Sequence, residues 1–437
     1  MVNTGQNLYR KAKKYIPGGT QLLSKRPEMF LPEHWPAYYK SVQGVTVTDL
    51  DGNTYVDMSH NGIGTCILGA ADPDVDTAVK AAIDAGTMST LNCPEEVELA
   101  ELLIDLHPWA QMVRYARCGG EAMAVAVRIA RAKSKRDRIA FCGYHGWHDW
   151  YLSANVASDA ALDGHLLSGL DPAGVPRSLK DTTIPFRYNR IEELEEIVKN
   201  YGEEIGCIVV ESIRDKEPAN NFLQQIRSIA DSIGAILIFD EVSAGFRLAC
   251  GGAHMVYGVE PDIAVFAKAM SNGYPMAAIL GKENVMRAAQ NTFISSTYWT
   301  ERIGPVAAIA TIQKHRKFQV HNHLIAMGTL IQKEWAAVAA ATGLSLQIGG
   351  IPPLSHFAFE CEEPQIAKTY FTQEMLKRGY LASTQFYATF AHTKEHVAAY
   401  IAEAYEVFAD IAAGQKNGSL KERLDGPEAH SGFQRLT

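Results

Sequence analysis

The sequence predicts an α/β protein built on a doubly wound, mostly parallel sheet. Strand-like apolar runs recur at 139–142, 207–210, 235–239, 263–266 and 277–280. Helical patterns separate several of them, most clearly at 221–232. Strands that alternate with helices are joined by crossovers, which make neighbouring strands parallel and cover both sheet faces. The runs show no polar alternation, as befits strands buried on both sides.

Size and composition agree with this class. A chain of 437 residues, 47% hydrophobic and 21% charged, has room for two or three domains and a large core. A net charge of −8 with no basic run argues against a nucleic-acid surface. No stretch reaches the roughly 20 apolar residues that cross a bilayer, so no membrane partner is expected. The opening MVNTGQNLYRKAKKYIPGG lacks the apolar centre of a signal peptide. Seven cysteines, scattered singly without a CxxC pair, read as reduced thiols in a cytoplasmic protein.

A short basic helix opens the chain and is broken by Pro17-Gly18-Gly19-Thr20. Residues 44–58, GVTVTDLDGNTYVDM, alternate around Asp51-Gly52 and predict a hairpin. Helical spacing follows over 72–86 and 94–106, the second helix stopped by Pro108. The run 112–116 leads through Arg117-Cys118-Gly119-Gly120-Glu121-Ala122 into a helix ending near Ala132. Beyond about residue 310 the pattern changes to a long helix, short strands such as 355–360, and an amphipathic helix over 394–412. That part reads as a smaller α+β domain. The charged, glycine-containing tail from Gly414 is expected to be loosely held.

Chemistry-bearing residues gather at the ends of the buried runs. Residues 235–239 end in Asp240-Glu241, and the next run ends in Lys268, followed by Ser271-Asn272-Gly273-Tyr274-Pro275. Charges are seldom buried without a partner, and open α/β sheets place their sites at the carboxyl ends of strands. A lysine amine can form a Schiff base with the aldehyde of pyridoxal phosphate, and an aspartate can partner its pyridinium nitrogen. A buried Asp–Lys ion pair is the plainer alternative. Gly119-Gly120-Glu121, opening a helix, offers backbone amides to an anion such as a phosphate, although Gly-Gly before a helix is often only a turn. His145 and His148 lack a third metal ligand at any recognised spacing, so no metal is expected. Gly62-Ile63-Gly64 does not continue as GxGxxG, and neither a GxSxG elbow nor a P-loop occurs.

IFDEV at 238–242 and AKAMSNGYP at 267–275 resemble the fold-type I pyridoxal phosphate enzymes. Within them the chain resembles the class III aminotransferases, with their glutamate-1-semialdehyde aminomutase branch, over roughly residues 15–410. The resemblance implies a large cofactor domain (51–314), a smaller domain from both chain ends (1–50 and 315–437), and a homodimer with active sites at its interface. It implies that Lys268 holds the cofactor as a Schiff base, with Asp240 at the pyridine nitrogen. Tyr144, in an aromatic-His-Gly motif with His145, would stack on one ring face and Val242 on the other. Glu211, otherwise readable as a solvated loop charge, matches a position near the cofactor. Cys118 and Gly120 stand where hydroxyl residues are frequent, which shifts the phosphate grip toward backbone amides. Thr297, in a Ser-Ser-Thr run otherwise readable as a turn, matches a hydroxyl that reaches the other subunit's cofactor phosphate. Arg26, in Ser24-Lys25-Arg26-Pro27, resembles a substrate-binding arginine of the aminomutase branch, or is a plain surface charge.

The function expected is transfer of an amino group from a small amine or amino-acid donor to a keto or aldehyde acceptor. An intramolecular aminomutase uses the same residues. A non-catalytic relative would not need both Asp240 and Lys268.

Overall fold

The computed structural model describes residues 3–158, 160–163, 165 and 169–432. The strands, in chain order, are β1 (Tyr39–Gln43), β2 (Thr46–Asp49), β3 (Thr54–Asp57), β4 (Met112–Ala116), β5 (Arg138–Cys142), β6 (Thr183–Pro185) and β7 (Ile205–Glu211). They continue with β8 (Ile236–Asp240), β9 (Ile263–Phe266), β10 (Ala277–Gly281), β11 (Leu346–Gly349), β12 (Leu354–Phe359), β13 (Tyr380–Leu381) and β14 (Gln385–Tyr387). The chain divides into two compact units, Pro73–Asn322 and Met1–Asp72 with His323–Thr437.

Pro73–Asn322 is built on a seven-stranded sheet of order β4-β10-β9-β8-β7-β5-β6. β9, β8, β7, β5 and β6 pair in parallel, and β10 runs antiparallel to β9 and β4. The order is non-sequential because helical crossovers, among them Gly119–Ser134, Ile191–Tyr201 and Phe222–Ile233, carry the chain between strands. Alternate residues of one strand feed opposite faces. Cys207, Val209, Ile236 and Ile238 join one apolar cluster, while Ile208, Val210, Leu237 and Phe239 join another. All of these are buried, which explains why the sequence there is apolar without alternation.

The other unit joins the two chain ends. β1, β2 and β3 form an antiparallel meander, and β13 adds in parallel with Tyr380 opposite Val56 and Leu381 opposite Asp57. That pairing groups residues 51–72 with the chain ends, so the division falls after Asp72 and after Asn322, where the sequence reading placed it after residues 50 and 314. A three-stranded sheet β11-β12-β14 packs its aromatic side against helices Pro364–Lys377 and Lys394–Asn417, through Phe357, Phe359, Phe371 and Phe408. The tail departs from expectation. The helix runs on to Asn417, Leu420 and Ala429 are buried, and Gln365 Nε2 donates to the Ala429 carbonyl at 2.7 Å. Two apolar anchors outweigh the polar composition around them. Residues 433–437 lie outside the described residues.

Candidate active site

The carboxyl ends of four adjacent parallel strands carry the candidate residues. Lys268 follows β9, Asp240 ends β8, Glu211 ends β7, and Gly143-Tyr144-His145 follows β5. Glu211 and Asp240 are register partners, so two acids stand side by side at the carboxyl ends of adjacent interior strands.

Asp240 is 4% exposed and held on both oxygens. Oδ1 accepts the Val242 amide at 3.0 Å, and Oδ2 lies 2.7 Å from His145 Nδ1. His145 is itself buried, with Nε2 directed at the Cys142 carbonyl at 3.1 Å. The ring is therefore committed to Asp240 and to the end of β5, which leaves it no part in a metal site. A buried carboxylate oriented this firmly suits a fixed partner for a ring nitrogen.

Lys268 is partly buried, and its Nζ donates to Ser243 Oγ at 2.8 Å. Loss of hydration pushes its pKa down to about 8, and the Arg214 and Arg247 guanidiniums push the same way. Arg247 is 1% exposed and donates from Nε to the Ser243 carbonyl at 2.6 Å. The backbone of Lys268 adopts φ +45°, a left-handed conformation that a side-chain-bearing residue takes only when its surroundings impose it. Neither Ser243 nor Arg247 carries a motif that marks it in the sequence. Arg214 had a faint signal, standing three residues past a strand-end acid.

Glu211 links three elements. Its Oε2 accepts the Tyr144 amide at 3.1 Å, and its Oε1 accepts Arg214 Nη1 at 2.9 Å. Gly143, at φ +115°, is needed here, because a Cβ would stand 2.7 Å from Glu211 Oε2. Tyr144 and Val242 are both partly buried against the same apolar cluster.

The loop between β4 and helix Gly119–Ser134 has the form of an anion seat. No side chain caps the helix start, so its first amides are not taken up by a capping group. A Cβ on Gly119 would meet Val242 Cγ1, after β8, at 2.7 Å, and one on Gly146, after β5, would meet Gly120 Cα at 3.0 Å, so this loop approaches both neighbouring segments as only glycines allow. His148 Nδ1 is shielded from solvent with no hydrogen-bond partner and faces Gly120. Glu121 turns its carboxylate back to accept the Arg117 amide at 2.9 Å, which fixes the turn. Bare amides, an unpaired buried nitrogen, an oriented aspartate and a deprotonatable lysine fit pyridoxal phosphate.

Thr297 is exposed and opens a short turn, Thr297–Thr300. Arg26 belongs to the unit of the chain ends, its guanidinium lying over Gly18 and close enough to Tyr9 to act on that phenol.

Comparison with known proteins agrees with this geometry. The family profile "Aminotransferase class-III" matches residues 32–406. The chain is 29% identical to the 3-aminobutyryl-CoA aminotransferase of Cloacimonas acidaminovorans, over 93% of this chain and 96% of that protein. It is 32% identical to the glutamate-1-semialdehyde 2,1-aminomutase of Methanothermobacter thermautotrophicus, over 93% and 99% respectively. An omega-transaminase from Sphaerobacter thermophilus shares the fold, with a TM-score of 0.82 at 24% identity over 94% of this chain and 98% of that one. The chain belongs to the aminotransferase class-III family, the fold-type I transaminases that work with pyridoxal phosphate.

Proposed function

We propose that the strand-end cluster is the active site and that this aminotransferase passes an amino group between two small molecules, with Lys268 as its proton-moving amine. The observation that carries the reading is the Lys268 amine, with a pKa near 8, two strand ends from Glu211 and one from Asp240. At pH 7 about one such amine in ten is unprotonated, against roughly three in ten thousand at the ordinary 10.5. A group so poised serves as base and then as acid at the substrate carbon.

The cofactor, when bound, supplies a sink for the electrons released as a bond at the substrate's Cα breaks. Asp240, oriented by His145, would hold a proton on the pyridine nitrogen. Tyr144 and Val242 would pack against the ring, with Glu211 positioning Tyr144. The amides of Gly119 and Gly120 would hold the phosphate, and Glu121 keeps their turn in shape. Ser243 orients the Lys268 amine.

Further roles rest on the family likeness. Thr297 reaches the phosphate in the partner of a homodimer, the sites lie at the interface, and the protein works in the cytoplasm. Exposure of Thr297 is compatible with such a reach. Arg26 contacts a substrate carboxylate. A second reading, the aminomutase, has support in the identity of 32–33% to several glutamate-1-semialdehyde aminomutases.

One experiment tests the site. Borohydride reduction of the protein with bound cofactor, followed by peptide mapping, is expected to leave the adduct on Lys268, and Lys268→Ala to abolish turnover. An adduct on any other lysine refutes the assignment. Release of a free keto product after one half-reaction marks a transaminase; its absence, with the amino group returned to a neighbouring carbon, marks a mutase.

A further inference from the structure

An imidazole occupies the room that a side chain at residue 120 would take. A Cβ built on Gly120 would stand 3.2 Å from His148 Nδ1 and 3.3 Å from its Cε1. Gly120 lies in the first turn of helix Gly119–Ser134, in the loop whose bare amides suit a phosphate. It is also the position where the class III aminotransferases frequently carry a hydroxyl residue. The ring is held in place from two sides. Trp147 stacks on it with 4.3 Å between centroids and 25° between planes, and the His148 carbonyl accepts the Tyr151 and Leu152 amides at 2.9 and 3.1 Å.

The plainer reading is a surface ring that fills space beside a glycine. Such a ring would turn its nitrogens to water or to a neighbour. Nδ1 does neither, being closed off from solvent and without a hydrogen-bond partner. A polar atom left in that state costs about 1–3 kcal/mol. His145, three residues earlier on the same segment, shows the contrast, with both of its nitrogens engaged. Burial holds the His148 imidazole below its usual pKa, against the pull of Glu121 and Asp149, so near neutral pH the ring is neutral and has one N–H to give. We propose that His148 is a ligand of the cofactor's phosphate, its Nδ1–H standing in for the hydroxyl that residue 120 lacks. This rests on the strand-end cluster being the active site and on the glycine loop being its phosphate seat. The bare residue 120 and the ring at 148 are then one exchange: a side chain at 120 and the imidazole compete for the same space, and either supplies one donor.

The test measures binding rather than turnover. Cofactor-free protein is titrated with pyridoxal phosphate and with pyridoxal, which differ only in the phosphate, and the absorbance of the bound form is followed. His148→Phe keeps a ring and removes its nitrogens. It should lower affinity for pyridoxal phosphate about ten-fold, the worth of one hydrogen bond to an ionised acceptor, and leave pyridoxal within about two-fold. His148→Leu serves if the Phe variant fails to fold. His148→Asn, whose amide nitrogen reaches about the place of Nδ1, should keep most of the affinity. Gly120→Ser in a His148→Ala background returns a hydroxyl to the vacated room and should regain most of what His148→Ala alone loses. Equal losses on the two forms, undiminished pyridoxal phosphate binding in the Phe and Leu variants, or no recovery in the Asn and Ser variants overturns the proposal. Borohydride reduction of the loaded wild type separates the two readings. An adduct absent from Lys268 overturns the active-site assignment and this inference with it; an adduct on Lys268 with equal losses overturns this inference alone.

Discussion

Replacing Lys268 by Met should make the cofactor-free protein more stable at neutral pH. The folded chain holds this amine at a pKa of about 8, against an ordinary 10.5. Below pH 8 folded and unfolded chains both carry the proton, and the folded one bears the cost of a desolvated ammonium facing two guanidiniums. At about 1.4 kcal/mol per pKa unit that cost is about 3 kcal/mol. Between pH 8 and 10.5 the folded chain sheds the proton while the unfolded chain keeps it. The unfolded state then binds more protons, so stability rises with pH through that window. Methionine keeps most of the stem and removes the charge. It also deprives Ser243 Oγ of its 2.8 Å donor, a pH-independent loss of about 1 kcal/mol. Urea unfolding of both proteins at pH 7 and pH 9.5 isolates the effect, since other titrating groups cancel in the difference. At pH 7 the variant should lead by about 2 kcal/mol, and by pH 9.5 wild type should have recovered about that much relative to it. A wild-type-to-variant difference that is the same at both pH values refutes the reasoning.

Three other perturbations probe the same cluster. His145→Phe removes the 2.7 Å partner of a buried carboxylate and should cost about 1–3 kcal/mol of stability and at least ten-fold in kcat; full activity would detach His145 from Asp240's role. Gly119→Ala places a Cβ 2.7 Å from Val242 Cγ1 and should weaken cofactor affinity, read by absorbance titration, by more than it lowers the unfolding midpoint; the reverse order would make the loop merely structural. Glu241→Gln tests acid stability. Burial pushes the Glu241 carboxyl up, but His254 and the amides of Ala253 and His254 outweigh it and leave the pKa lowered from 4.5. Its contribution is present above pH 4.5 and lost as pH falls through the depressed value, so the variant should show a flatter decline in stability below pH 4.5.

Much of this was legible in the residues. Asp240 and Lys268 stood out because an acid and a lysine closing apolar runs have no packing reason to be there, and the observed strands end at or beside them. The parallel sheet followed from runs without alternation, since both faces of β7 and β8 are buried. The antiparallel sense of β10 was not legible, because Ala277–Gly281 is as apolar as its parallel neighbours and carries no mark of direction. The Glu121 carboxylate accepts the Arg117 amide, a local capping choice that the spacing of Gly119-Gly120-Glu121 does not reveal. Arg214, Arg247 and Ser243 escaped notice because their significance lies in what surrounds Lys268, assembled from segments far apart in the chain.

The parallel pairing of β3 with β13 bears on how the protein emerges from the ribosome. β3 ends at Asp57 and its partner begins at Tyr380, so about 320 residues must be made before that sheet can close. At roughly 5–20 residues per second the wait is on the order of 15–65 seconds. Pro73–Asn322, by contrast, is one continuous stretch that contains the whole strand-end cluster. During synthesis that stretch can therefore take shape first, while β3 waits with an unpaired edge open to wrong partners.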